Sequence, residues 1–241
     1  MTTLYGWGPM FGCPSPSPYV MKTDIQLQML GVDFDRAIAD LDSVSKHKAP
    51  YVEDDGEIIE DSNFIRAYFE RKLGKSLMDG LTPRQQAQSW AFERMAEGHL
   101  HLVMAGERWM IDENFRKGPA MFFMDAPEAM REQIMTETRE TMRTTRYNSG
   151  IGRHSRDEQL QLAAWDIAAI AAQLGDQLFL FGGEPGVADA SVSAMLISSA
   201  TPYFDTPLSG IVNDYDNLAG YMRRMSERYL EHQRWPSLVA A

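Results

Sequence analysis

One cysteine, Cys13, is all that the 241 residues contain, so no intrachain disulfide can form, and a chain of this length buries enough apolar surface to fold without one. No stretch approaches the run of about 18 apolar residues that spans a bilayer. No N-terminal segment joins basic residues, an apolar core and a small-residue cleavage site either. Neither secretion nor membrane insertion is expected, and a cytoplasmic address is. Positive charge is also scarce. Lys and Arg number 23 against 34 Asp and Glu, a formal charge of −11, which disfavours nucleic acid or an anionic leaflet as a partner. Arg223, Arg224 and Arg228 lie close together, but Glu227 and Glu231 alternate with them as on a solvated helix face. Histidines are few, and His99 and His101, two apart on a helix, point in different directions, so no metal site is expected. Phosphate loops are absent, and Gly6-Trp7-Gly8 lacks the rest of a dinucleotide fingerprint.

What is present divides at about residue 74. Leu4-Tyr5-Gly6-Trp7 is a short apolar start that breaks into a Gly/Pro/Ser-rich loop. Ser17 then caps a helix, Pro18 suits its first position, and Gly31 ends it. Val32 to Ile38 reads as a second strand. Pro50-Tyr51-Val52-Glu53, the turn Asp54-Asp55-Gly56 and Glu57-Ile58-Ile59-Glu60 make a hairpin, and Ser62 to Lys72 has helical spacing. This order predicts a small mixed sheet flanked by helices over residues 1–74. A linker at 75–82 follows, and Thr82-Pro83 restarts helix. From 83 to 241 the pattern is all helical, with spans near 83–114, 127–147, 156–175, 188–200 and 216–231.

Four motifs in order resemble one family. Ser17-Pro18-Tyr19-Val20-Met21-Lys22 resembles the segment that opens the first helix of glutathione transferases, and Ala49-Pro50-Tyr51-Val52 their cis-proline segment. Glu60-Asp61-Ser62-Asn63-Phe64-Ile65 and Phe179 to Ala190 resemble the acidic-Ser segment and the signature helix start of the C-terminal domain. Gly150 to Ser155 and the Asn217–Arg224 helix further resemble the branch of failed-axon-connections and metaxin-like proteins with their bacterial relatives. The resemblance implies the glutathione transferase fold: an α/β thioredoxin-like N-terminal domain, 1–74, and an all-α helical bundle, 83–241. It also implies glutathione as co-substrate, a small-molecule electrophile as acceptor, and a homodimer.

Each implied site residue also has a plain reading. Ser17 is a helix cap in either case; in the functional reading its hydroxyl and the positive helix end favour the glutathione thiolate. Cys13 competes with it, because Cys13-Pro14 imitates the Cys-Pro pair of thiol-transfer branches. Asp61 and Ser62 cap a helix whose free N–H groups can receive the γ-glutamyl carboxylate, with Asp61 facing the ammonium. Ala49 and Pro50 would pair with the cysteinyl backbone, and Lys46 and Lys48 are solvated charges or partners of the glycyl carboxylate. Arg94, His101 and Trp109 on the first long helix are candidates for the acceptor pocket. Tyr5 is read mainly as core. Asp189 is read as a folding residue, bonding back to the N-cap of its helix, where Gly186 supplies no side chain.

The leading function is therefore glutathione transfer to an electrophile. Alternatives are glutathione-dependent disulfide or peroxide reduction, through bound glutathione or through Cys13, and a non-catalytic metaxin-like binding module. Phe64, Tyr68, Phe69, Trp90, Met95 and Met104 are candidates for a dimer face.

Overall fold

The computed structural model describes residues 1–236. Strands β1 (Thr2–Gly6), β2 (Asp35–Ile38), β3 (Tyr51–Asp54) and β4 (Glu57–Glu60) form one sheet in the order β2-β1-β3-β4. β1 and β2 are parallel and need a crossover, which helix α1 (Pro18–Leu30) provides; β3 runs antiparallel to β1 and β4. Asp55 and Gly56 both take positive φ, 52° and 85°, the turn geometry that matches strand twist in a two-residue hairpin. Register aligns Leu4, Val52 and Ile59 across three strands. That row packs with Leu27 and Leu30 of α1 and with Ile65 and Phe69 of α2 (Ser62–Leu73). β2 is shorter than the expected 32–38, because Val32 and Phe34 reach this core from the turn after Gly31 rather than from a paired strand.

α1 is buried almost all round, since it belongs to two cores. Met21 and Ile25 join the helical half, while Leu27 and Leu30 join the sheet. Its polar side chains are therefore matched inside: Asp24 takes Arg36 at 2.6 and 2.8 Å, and Lys22 takes Glu97 at 2.8 Å.

The helical half contains α3 (Pro83–Met95), α4 (His101–Trp109), α5 (Asp112–Lys117), α6 (Glu128–Asn148), α7 (Arg156–Leu174), α8 (Val187–Ala200), α9 (Pro207–Asn213) and α10 (Asp216–Tyr229). No strand follows β4 among the described residues. The single helix expected at 83–114 is broken twice, by a π-helical turn at Ala96–Leu100 and by a bend between Trp109 and Asp112. α9 carries its own cap in Thr206 and Pro207, but seven residues are too few for a periodic signal. Asp189 serves α8 as expected, accepting from Gly186 N at 2.7 Å. It also takes Leu180 N at 3.0 Å and the buried Tyr221 hydroxyl at 2.9 Å. Among the described residues no helix is long and apolar enough to cross a membrane.

Candidate functional site

The pairing of Tyr51 with both Tyr5 and Glu60 brings three chain segments to one end of the sheet. They are the exit of β1 toward α1, the Ala49–Pro50 peptide before β3, and Asp61-Ser62 after β4. The Ala49–Pro50 peptide is cis. Asp61 has φ 80° and accepts the Asn63 N–H at 2.9 Å, while Ser62 is buried at the first position of α2. The start of α2 is held from behind. Asn63 Oδ1 accepts from Lys22 Nζ at 2.7 Å and from Arg94 at 3.3 Å, and both cations also bind Glu97, each at 2.8 Å. Burial pulls the Lys22 ammonium below its ordinary range against the opposing pull of Glu97. Burial likewise opposes ionisation of Glu97, yet Lys22 and the Ser191 hydroxyl hold it below the usual carboxylate range. Lys48 is exposed beside Ala49, and Lys46 is spent on Glu60 through its N–H at 2.7 Å and its ammonium at 3.2 Å. Tyr5 turns to the sheet face, stacked on Tyr51 at 4.6 Å.

Ser17 caps α1, its Oγ accepting from Val20 N at 3.3 Å while Pro18 needs no N–H partner. That bond uses an acceptor lone pair only, so the hydroxyl proton is free for a ligand. Upstream, Met10 and Cys13 exchange both backbone bonds at 3.0 Å around Phe11 and Gly12, whose φ angles are 58° and 69°. A left-handed phenylalanine costs about 1–3 kcal/mol. Its ring is held against Tyr203, Phe204 and Phe122, and its carbonyl accepts from Thr201 Oγ1 at 2.9 Å. The loop is thus bound into the helical half, and Cys13 turns inward with it. Cys13 is 4% exposed, 3.9 Å from the Ile197 carbonyl, and burial pushes its thiol up despite Arg108 and Thr201 nearby.

In front of Ser17 lies a cavity of about 530 Å³. Trp7, Phe11, Tyr19, Trp109, Phe122 and Phe123 give it aromatic walls, and Ser17, His101, Arg108 and Thr138 supply its polar side chains. The α4 contribution is one helical face: His101, Met104, Ala105, Arg108 and Trp109 at i, i+3, i+4, i+7 and i+8. Of the three expected pocket residues, His101 and Trp109 line it, while Arg94 turns away to Glu97, Asn63 and the Trp90 ring. Tyr19 donates to the Glu97 carbonyl in the π turn at 3.0 Å and lies 3.4 Å from His101 Nδ1. Burial, helped by Arg108, pushes His101 down to about 4, so its ring is neutral near pH 7. Arg108, Phe11, Phe122 and Phe123 escaped the sequence reading; only the α4 spacing carried a signal for one of them. Among the described residues no cluster of ligating side chains could hold a metal ion.

A family model described as the glutathione S-transferase N-terminal domain matches residues 18–114, and one described as the glutathione S-transferase C-terminal domain matches residues 163–225. The chain is 31% identical over 238 residues to isoprene-epoxide–glutathione S-transferase of Rhodococcus sp. (strain AD45), covering 95% of this chain and 99% of that protein. It is 28% identical over 230 residues to Failed axon connections of Drosophila melanogaster, covering 89% of this chain and 54% of the relative. Among solved structures, the β-etherase LigF from Sphingobium sp. strain SYK-6 shares the fold with a TM-score of 0.64 at 16% identity, over 93% of this chain and 94% of the other. A thioredoxin-like sheet followed by a helical bundle, with 31% identity over 95% of the chain to a glutathione S-transferase, means that the chain belongs to the glutathione S-transferase family.

Proposed function

We propose that the protein transfers the glutathione thiolate to a small, largely apolar electrophile. The observation that carries this reading is Ser17: its hydroxyl sits at the positive end of α1, keeps its proton unspent, and opens on the aromatic cavity. Glutathione lies along the sheet end. Its γ-glutamyl carboxylate takes the N–H and hydroxyl of Ser62, its ammonium faces Asp61, its cysteinyl backbone pairs beside Ala49 and Pro50, and Lys48 stands at the glycyl end. The sulfur then accepts the Ser17 hydroxyl and points into the cavity. The relative named for isoprene epoxide makes an epoxide the first acceptor to try. In that reaction the sulfur bonds to a ring carbon, the C–O bond breaks, and the oxygen takes up the proton that the thiol gave away.

Burial of Cys13 and its raised pKa favour Ser17 over a cysteine route. We also assign the protein a homodimeric state and a cytoplasmic setting, where glutathione is kept reduced. Phe64 is 64% exposed and Trp90 45%, and they support a dimer face; Phe69 and Met104 are buried within the chain and cannot contribute to one. Light scattering that returned 27.3 kDa at every concentration would remove the dimer.

The assignment is tested by glutathione-dependent consumption of a panel of epoxides and aryl halides. Ser17→Ala is expected to lower kcat/KM by about 100-fold, and Cys13→Ser to leave it unchanged. Full activity in Ser17→Ala would remove Ser17 from the reaction.

A further inference from the structure

Arg108 is 5% exposed and has no carboxylate partner among the described residues. Its hydrogen bonds to oxygen go to two neutral carbonyls, Pro16 at 3.1 Å and Ser198, its guanidinium lies 4.8 Å from the Phe204 ring centre, and the sulfur beside it, Cys13, is a thiol that burial holds against ionisation. The adjacent carboxylate, Glu107, is taken up on the other side by Arg156 at 2.7 and 2.9 Å and by the Thr206 hydroxyl at 2.6 Å. Withdrawing a cation from water without a counter-ion costs several kcal/mol, and an arginine cannot relieve that cost by losing its proton. The residue nevertheless borders the cavity that Ser17 opens on, bonded to the carbonyl immediately before Ser17. Among the described residues no acidic side chain lines that cavity, although the chain carries 34 acids.

We propose that Arg108 is the fixed positive charge that, with the α1 terminus, holds the glutathione sulfur as thiolate in front of Ser17. The thiolate is in turn the anion that the buried guanidinium lacks. This rests on the glutathione reading above. A charge in a water-poor site acts without touching the sulfur. Its reach is visible on two neighbours: it helps to push His101 down, and it offsets part of the burial that raises Cys13. The other titratable groups around the sulfur site are Tyr19 on α1, His101 on α4 and Cys13 on the loop. Asp61 and Glu97 act on Tyr19 from the sheet end and the π turn, and Glu97 is matched by Lys22. Among the described residues Arg108 is therefore the one cation lining the cavity, with no carboxylate set against it.

The experiment follows the ultraviolet thiolate band of bound glutathione against pH in wild type, Arg108→Lys, Arg108→Gln and Arg108→Met. Calorimetry with S-methylglutathione, which has no thiol, reports folding and tripeptide binding in each. Arg108→Gln or Arg108→Met, whichever folds, is expected to raise the thiol pKa by about 1 unit, leaving about tenfold less thiolate below it. Arg108→Lys keeps the charge but not both carbonyl bonds, so it is expected to melt earlier while holding the wild-type thiol pKa. A wild-type pKa in the uncharged variant, or a lysine variant shifted as far as the uncharged one, would overturn the role given to Arg108. Failure of wild type to bind S-methylglutathione at all would instead overturn the glutathione reading beneath it.

Discussion

The two sides of the site are built by different means. The sheet end to which we assign the tripeptide is assembled from residues 49–62 and the start of α1, with backbone groups and caps at its surface. The cavity in front of it draws side chains from the β1–α1 loop and the start of α1, the segment after β2, α4, the turn Pro119–Phe123 and α6, and its walls are mainly aromatic and aliphatic. The polar side is local in sequence and held from behind by buried charge. The apolar side is non-local and held by ring packing and by one strained residue, Phe11. A cosubstrate common to many relatives suits the first kind of construction. Acceptors that differ between relatives suit the second, whose walls change by single side chains.

The largest effect that would sharpen this contrast is expected at Lys22. Lys22→Met leaves Glu97 and Asn63 with Arg94 alone of their two cationic partners, so urea unfolding should show a loss of about 3 kcal/mol. Glutathione affinity should fall with it while acceptor preference stays the same. Unchanged stability would mean that the polar side does not depend on that buried charge. Next comes Ser62→Ala, which removes a hydroxyl offered to a carboxylate. Glutathione binding, measured by calorimetry, should weaken about 10–100-fold, with the KM for acceptor unmoved.

Legibility in the sequence divides along the same line. The Asp55-Gly56 turn, the Ser17 and Asp61 caps and the end-capping Gly31 each act over a few residues, so the sheet and the helix caps at its end could be read directly, whereas the cis Ala49–Pro50 peptide came with the family resemblance. The cavity could not. A left-handed phenylalanine runs against every local preference, a π turn leaves no periodic mark within a long helix, and Phe122 meets Trp7 only through the tertiary fold. Arg108 lay in plain sight on the His101 face, but its want of a carboxylate is a property of the folded chain.

A smaller effect, of order 1–2 kcal/mol, is expected from pH. His101 falls to about 4 in the folded state from an ordinary 6.5, so the unfolded chain binds more protons between those values. Its contribution is complete above pH 6.5 and is lost as pH falls through the window. Asp189, which burial raises to about 6 from 3.8, acts in the opposite sense: its contribution is complete below pH 3.8 and is lost as pH rises through 6. Wild-type stability should therefore change little from these two groups across that range. His101→Phe should unmask a decline in stability as pH rises from 4 to 6, measured by chemical denaturation at each pH. A decline no steeper than in wild type would mean that His101 is not held neutral. The smallest effect is expected at the cavity wall, where Phe122→Ala should raise the KM of an aromatic acceptor by about 5–10-fold and leave glutathione binding alone. A loss of glutathione affinity there would erase the division between the two sides.

The most direct test of that division is a crystal structure of the protein with an S-alkyl glutathione. The account predicts the γ-glutamyl carboxylate on Ser62, the thioether sulfur beside the Ser17 hydroxyl, and the alkyl chain running between Tyr19, Trp109 and Phe122. A sulfur seated at Cys13, or an alkyl chain that leaves the aromatic cavity empty, would contradict it.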